Sequence, residues 1–310
     1  MKSDTLTVRG ADGIELHTYR WLPSGRDRKL RAIVQIAHGM AEHAGRYERF
    51  AKALTKAGYG VYANDHRGHG QTASEQDHGY LADNGGFDLV VEDMGAVTRA
   101  IRSEHPDLPV ILFGHSMGSF LARLYAARHV APIDALILSG TAGDPGPLGL
   151  AGRGLAAAQA RLRGKRHPSG LLDTLAFGQN NNAFKPARTE FDWLSRDEAE
   201  VDAYVADPLC GNVFTAGFYQ DLLGGLAEAV KPETAASVNS DLPILIFSGD
   251  QDPVGDMGKA VVATAAQYRD GGSTDLTCKL YPEGRHEMLN ETNRNDVMAD
   301  VVHWLNRRFG

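Results

Sequence analysis

The 310-residue chain has two cysteines, Cys210 and Cys278, and so few cannot form the disulfide framework of a loop-rich extracellular scaffold. Neither sits in a C-x-x-C or similar ligand spacing, so both are expected to be reduced, structural thiols in a reducing compartment. No window approaches the roughly 18 consecutive apolar residues of a transmembrane helix. The start, Met1-Lys2-Ser3-Asp4-Thr5, enters a β-like alternation without an apolar signal segment, and the expected location is cytoplasmic. An excess of positive charge is also missing: the formal net charge is -7 and the pI is near 5.9. Nucleic acid is therefore excluded as the main partner, because phosphate binding needs a basic face. A small or neutral substrate fits better.

The chain has 43% hydrophobic and 23% charged residues, a balance that makes a globular fold. Its length suits one large α/β domain or a domain with an insertion. Residues 5–9 and 14–21 alternate apolar and polar around the turn Ala11-Asp12-Gly13, which predicts an antiparallel hairpin. Strands are then expected over 31–37, 59–64, 109–113 and 135–138, with a helix over 46–57 and another carrying Phe87, Val90, Val91, Met94, Val97 and Ile101 at helical spacing. Repeated βα alternation predicts a mostly parallel sheet covered on both faces, with functional loops at the carboxyl ends of the strands.

From 143 to 235 this rhythm stops. Helix-like stretches over 155–162, 195–206 and 219–230 are separated by Gly and Pro breaks, and the segment holds Phe177, Phe184, Phe191, Trp193, Phe214, Phe218, Tyr219, Leu222 and Leu223. The expectation is a helical cap inserted between two parts of a core, 1–142 and 236–310, with about half of these large side chains serving only to pack. Arg161, Arg163, Lys165 and Arg166 in the cap read as a solvated face, with contact to anionic lipid headgroups as the alternative. A strand over 243–249, a helix over 257–268, a strand over 276–281 and a final helix over 293–309 complete the core.

The chemistry centres on Gly114-His115-Ser116-Met117-Gly118. G-x-S-x-G is common by chance in a chain with 35 glycines, but here it falls between an apolar β-prone run and a helix-compatible one. That is the setting of a nucleophile elbow, with Ser116 exposed at a strained turn. A serine hydroxyl needs a base, and the base an orienting carboxylate. Asp250 and Asp252 follow the strand over 243–248, and Asp252, further into the loop, is placed to reach sideways to a histidine while Asp250 satisfies loop N–H groups. His286 follows the next strand. The order Ser116, Asp252, His286 is that of α/β-hydrolases. The backbone N–H groups of Met117 and of Met40, in the loop His38-Gly39-Met40, are the expected oxyanion donors. His43, Arg46, Asp65, His66, Arg67 and His69 are expected to shape loops near the site, since no H-E-x-x-H spacing points to a metal. Asn180, Asn181 and Asn182 read as a polar cap loop.

Together, His38-Gly39-Met40-Ala41-Glu42-His43 with Arg46-Tyr47, Asp65-His66-Arg67-Gly68-His69-Gly70 and Gly114-His115-Ser116-Met117-Gly118 resemble the monoacylglycerol lipase and lysophospholipase branch of the α/β-hydrolases, also called serine aminopeptidase-like. The resemblance covers the core. It implies a serine esterase acting on monoacylglycerols, lysophospholipids or similar monoesters without a cofactor. The family's Gly-x-x-Asp-x-Val pattern falls on Gly249, Asp252 and Val254 and supports Asp252 as the acid. Ser119 departs from the family, which often has a further glycine there. Acyl transfer or peptide-bond cleavage by the same triad is the second expectation, and a ligand-binding scaffold without activity the third.

Overall fold

Alternating side chains make the first hairpin: β1 (Lys2–Arg9) and β2 (Glu15–Leu22) pair antiparallel with buried Val8 opposite buried Leu16. The computed structural model describes residues 1–25, 29–144 and 146–310. The strands β3 (Ile33–Ala37), β4 (Gly60–Asn64), β5 (Val110–His115), β6 (Ala135–Ser139) and β7 (Ile244–Gly249) are buried along their whole length. Such predominantly apolar runs are what a sheet covered on both faces requires. With β8 (Leu276–Tyr281) at the edge, the order is β1-β2-β4-β3-β5-β6-β7-β8. The pairs from β4 to β8 are parallel, and β2 joins β4 antiparallel.

One face of the sheet is covered by α1 (Glu48–Lys56) and α10 (Arg294–Phe309), which bury Phe50, Leu54, Val297 and Trp304. The other is covered by α2 (Gly86–Glu104), α3 (Met117–Ala127) and α9 (Lys259–Asp270). The six apolar residues read at helical spacing in α2 are all buried. The helix α9 begins at Lys259 rather than 257, because Asp256, Met257 and Gly258 take φ of 49°, 52° and 83°, a left-handed stretch that cannot continue a helix.

Between β6 and β7 run α4 (Gly146–Arg163), α5 (Gly170–Phe177), α6 (Glu198–Ala206), α7 (Ala216–Ala229) and α8 (Pro232–Ala236), with no strand of the sheet among the described residues. The sequence reading places α4 too late and misses α5. Gly149, Gly152 and Gly154 weaken the helix signal in α4. In α5, Leu171 and Leu175 face outward, 52% and 57% exposed, so no amphipathic pattern marks it; Ser169 caps it by accepting from the Leu172 N–H. Phe214, Phe218, Tyr219 and Leu222 join the core cluster under α2 and α3. Trp193, Leu194, Tyr204 and Cys210 form a separate cluster with Phe177, Phe184 and Phe191. Both cysteines are free, and among the described residues no helix is long and apolar enough to cross a membrane.

Candidate active site

Ser116 stands between the last residue of β5 and the first of α3 with φ 51° and ψ -120°, a strained conformation for a residue with a Cβ. The chain can hold it because its neighbours are small. A Cβ on Gly114 would lie 2.3 Å from the Gly118 carbonyl oxygen, and one on Gly118 would lie 2.1 Å from the Ala37 carbonyl oxygen, so strand and helix meet backbone to backbone. Ser119 fits the same turn, its hydroxyl donating to the Ser116 carbonyl at 2.6 Å.

The loops after β7 and β8 bring Asp252 and His286 together. His286 Nδ1 lies 3.0 Å from both Asp252 carboxylate oxygens, which fixes the tautomer with the proton on Nδ1 and leaves Nε2 as the basic nitrogen. Asp252 is fully buried and also accepts from the Ser248 hydroxyl at 2.7 Å and the Val254 N–H at 2.9 Å. Burial alone would raise the Asp252 carboxyl, but His286 and these donors hold it below the usual range. Burial pulls His286 down, yet the Asp252 charge and hydrogen bond outweigh it, and the imidazole sits above its ordinary 6.5. Asp250 accepts from the Glu283 N–H at 2.8 Å and from Gln251; it ties two loops together and does not reach the histidine.

The loop after β3 runs over Ser116. A Cβ on Gly39 would lie 3.1 Å from Ser116 Cβ. The Gly39 N–H is taken by Glu42 at 2.6 Å, and Ala41 turns the chain back at φ 58°. Met40 lines the same cavity as Ser116 and His286. Met117 is the first residue of α3, so its N–H has no acceptor within the helix.

Behind this loop Arg46 donates to Glu42 at 2.7 Å and, through both guanidinium nitrogens, to Glu287 at 2.7 Å. Burial would raise both carboxyls, and Arg46 holds them below their usual range. Tyr204 donates to the Ala41 carbonyl at 2.8 Å, and the Glu287 N–H donates to the Leu194 carbonyl at 2.8 Å, so the segment between β6 and β7 is bonded to two of the site's loops. The polar cluster read near the site does shape loops. Asp65 accepts from Ala44 and Gln71 N–H groups, and Arg67 is paired with Asp93. His38, His66 and His69 are buried, with the His38 ring tilted against that of His66 and edge-on to that of His69.

These elements enclose a cavity of about 440 Å³, within the range of small-molecule sites. Gly39, Met40, Ser116 and His286 form its floor, and Phe177, Phe191, Trp193 and Leu194 much of its roof. The Trp193 ring lies 5.1 Å from that of His286. Thr174, Gly178 and Glu190, all exposed, mark the rim. Asn181 lines the cavity and accepts from the Trp193 N–H at 2.8 Å. Sequence reasoning passed over Ser248, Asp173 and Glu190, because a serine inside a strand and carboxylates in irregular segments carry no pattern of their own. His43, Asp207 and Cys210 each bring one donor atom within 4.8 Å of the others. Burial pushes the Cys210 thiol up.

Over residues 28–293 the chain matches the hydrolase family described as serine aminopeptidase, S33. It is 33% identical over 303 residues to the monoacylglycerol lipase of Mycolicibacterium smegmatis, covering 96% of this chain and 94% of that one. It is 30% identical over 301 residues to the monoglyceride lipase of Rattus norvegicus, covering 96% and 89%. A highly thermostable carboxyl esterase from Bacillus coagulans, solved in complex with glycerol, matches with a TM-score of 0.92 at 30% identity over 100% of both chains.

Proposed function

The chain belongs to the monoacylglycerol lipase branch of the α/β-hydrolases, within the serine aminopeptidase S33 family, and from that premise we propose how its own residues cleave a monoester. It is a serine hydrolase. Ser116 Oγ attacks the ester carbonyl while His286 Nε2 takes its proton, and Asp252 keeps the imidazole oriented and balances its charge. The N–H groups of Met40 and Met117 receive the oxyanion. Collapse of the tetrahedral intermediate expels the alcohol, which takes the proton from His286. Water, activated by the same histidine, then releases the acid from the acyl-enzyme.

The observation that carries this reading is the His286–Asp252 pair at 3.0 Å, which shares one cavity with a strained Ser116. The apolar roof suits an acyl chain, and the names of the similar proteins support monoacylglycerol, with lysophospholipid or a similar monoester in the same class. Residues 143–235 act as a cap over the site.

Contact with lipid surfaces belongs to the same proposal. On α4 and α5, Leu150, Leu162, Leu171 and Leu175 are 74%, 84%, 52% and 57% exposed, and Arg161 and Arg163 close α4. Lys165 and Arg166 instead reach back to Asp83 and Asp77. Exposed apolar groups with cations near them in the chain suit a transient hold on a membrane.

A panel of short p-nitrophenyl esters, long monoacylglycerols and lysophospholipids tests the reading. Ser116→Ala is expected to lower kcat/KM for every active ester by about 10⁴-fold or more. Activity retained within tenfold would refute the assignment, and ester formation with added alcohols in preference to free acid would favour acyl transfer.

A further inference from the structure

The cavity above Ser116 carries charge of one sign. Glu42, Asp173, Glu190 and Glu287 line it, and among the described residues no lysine or arginine does. Glu42 and Glu287 are matched by Arg46 behind the wall. Asp173 and Glu190 form no ion pair among the described residues. Asp173 projects from α5 beside Thr174 and Phe177, and its carboxylate accepts from the Tyr219 hydroxyl at 2.9 Å. Glu190 comes from the irregular segment before Phe191 and stands exposed at the rim. Burial raises the Asp173 carboxyl above its usual range, and the nearby Glu190 adds to the rise, as expected where like charges crowd together.

Two unmatched carboxylates gain nothing from the acyl chain that the apolar roof would take, because desolvating a charge against a hydrocarbon wall opposes binding. They do discriminate between substrates. One carboxylate acting on a phosphate dianion across roughly 10 Å at an effective dielectric near 20 changes affinity by about five- to tenfold once salt screening is allowed for. Repulsion of this kind is how a site rejects a close analogue of its substrate.

We propose that Asp173 and Glu190 form a charge filter, which admits uncharged monoesters, rejects esters whose alcohol part carries an anionic group such as a phosphate, and drives the carboxylate product out of the cavity. The proposal rests on the ester-hydrolase reading and narrows its substrate class. Within the monoester class it favours the neutral acylglycerol over any lysophospholipid with a net negative headgroup.

The test compares 1-octanoylglycerol with 1-octanoylglycerol-3-phosphate, which share acyl chain and ester linkage and differ in the phosphate. Both are used as monomers, so that recruitment to a surface plays no part. The wild-type protein is expected to prefer the neutral ester, and added salt to narrow that preference. Glu190→Gln, a change at an exposed position, is expected to raise the phosphate-to-neutral ratio of kcat/KM about tenfold, Asp173→Asn similarly, and both to strengthen inhibition by octanoate. Equal cleavage of the two esters by wild type would overturn the filter, as would a ratio that moves with neither substitution nor with salt. Wild-type protein inert towards both esters would be a different failure, that of the ester-hydrolase reading itself.

Discussion

Behind the floor of the cavity Asp252 is fully buried and accepts from His286, Ser248 and Val254, whereas in the segment between β6 and β7 Leu162 is 84% exposed. The floor is assembled at the carboxyl ends of strands, and the hydrogen bonds between His286 and Asp252 fix the direction of both. The roof is uneven. Its stretch from Trp193 to Gly211 is bonded to the loops of His286 and Ala41, while α4 and α5 carry leucines that are more than half exposed. Chemistry that depends on angles belongs to the first kind of construction and contact with variable surfaces to the second.

The largest expected effects therefore lie in the floor. Asp252→Asn should lower kcat/KM by about 10⁴-fold by leaving His286 in the wrong tautomer, while Asp250→Asn should stay within roughly threefold, because its partners are loop N–H groups. If the two substitutions acted alike, the distinction between the neighbouring carboxylates would be lost. Arg46→Met should destabilise the fold by about 3–5 kcal/mol in denaturant unfolding, since it strands Glu42 and Glu287 as buried, unpaired charges. Arg46→Lys should recover part of this. The smallest effect lies in the roof: replacing Leu150 and Leu162 by serine should weaken binding to lipid vesicles by about 30-fold or more, since each removes exposed apolar area worth about 1–2 kcal/mol, with turnover of short soluble esters unchanged. A fall in that turnover would mean the roof's outer surface also shapes the site.

The same contrast explains how much was legible in the sequence. Uninterrupted runs such as Val110 to Phe113 and the helical spacing from Phe87 to Ile101 announced the core, because a covered sheet and its helices impose regular patterns. The places of Ser116, Asp252 and His286 at strand ends, and the contact of His286 with Asp252 rather than Asp250, could be read because each follows a strand. The roof obeys no such period. α5 turns Leu171 and Leu175 outward, so its apolar residues do not mark a buried face, and the glycines of α4 hid its first turns. Asp173 and Glu190 meet in the cavity only through the packing of α5 against the segment before Phe191, a long-range event without a local signal. Ser248 was hidden for the opposite reason, as one polar residue in a strand read as core.

The central claim is that Ser116 is made nucleophilic by His286 and Asp252. Its most direct test is the rate of labelling by a fluorophosphonate probe across pH, with the modified residue identified by peptide mapping. His286 must be unprotonated to accept the serine proton, and Asp252 raises its pKa above the ordinary 6.5; labelling should thus map to Ser116 alone and its rate should climb with pH through an apparent pKa above 6.5. A label on another residue, or a rate at Ser116 that does not depend on pH across that range, would contradict the account.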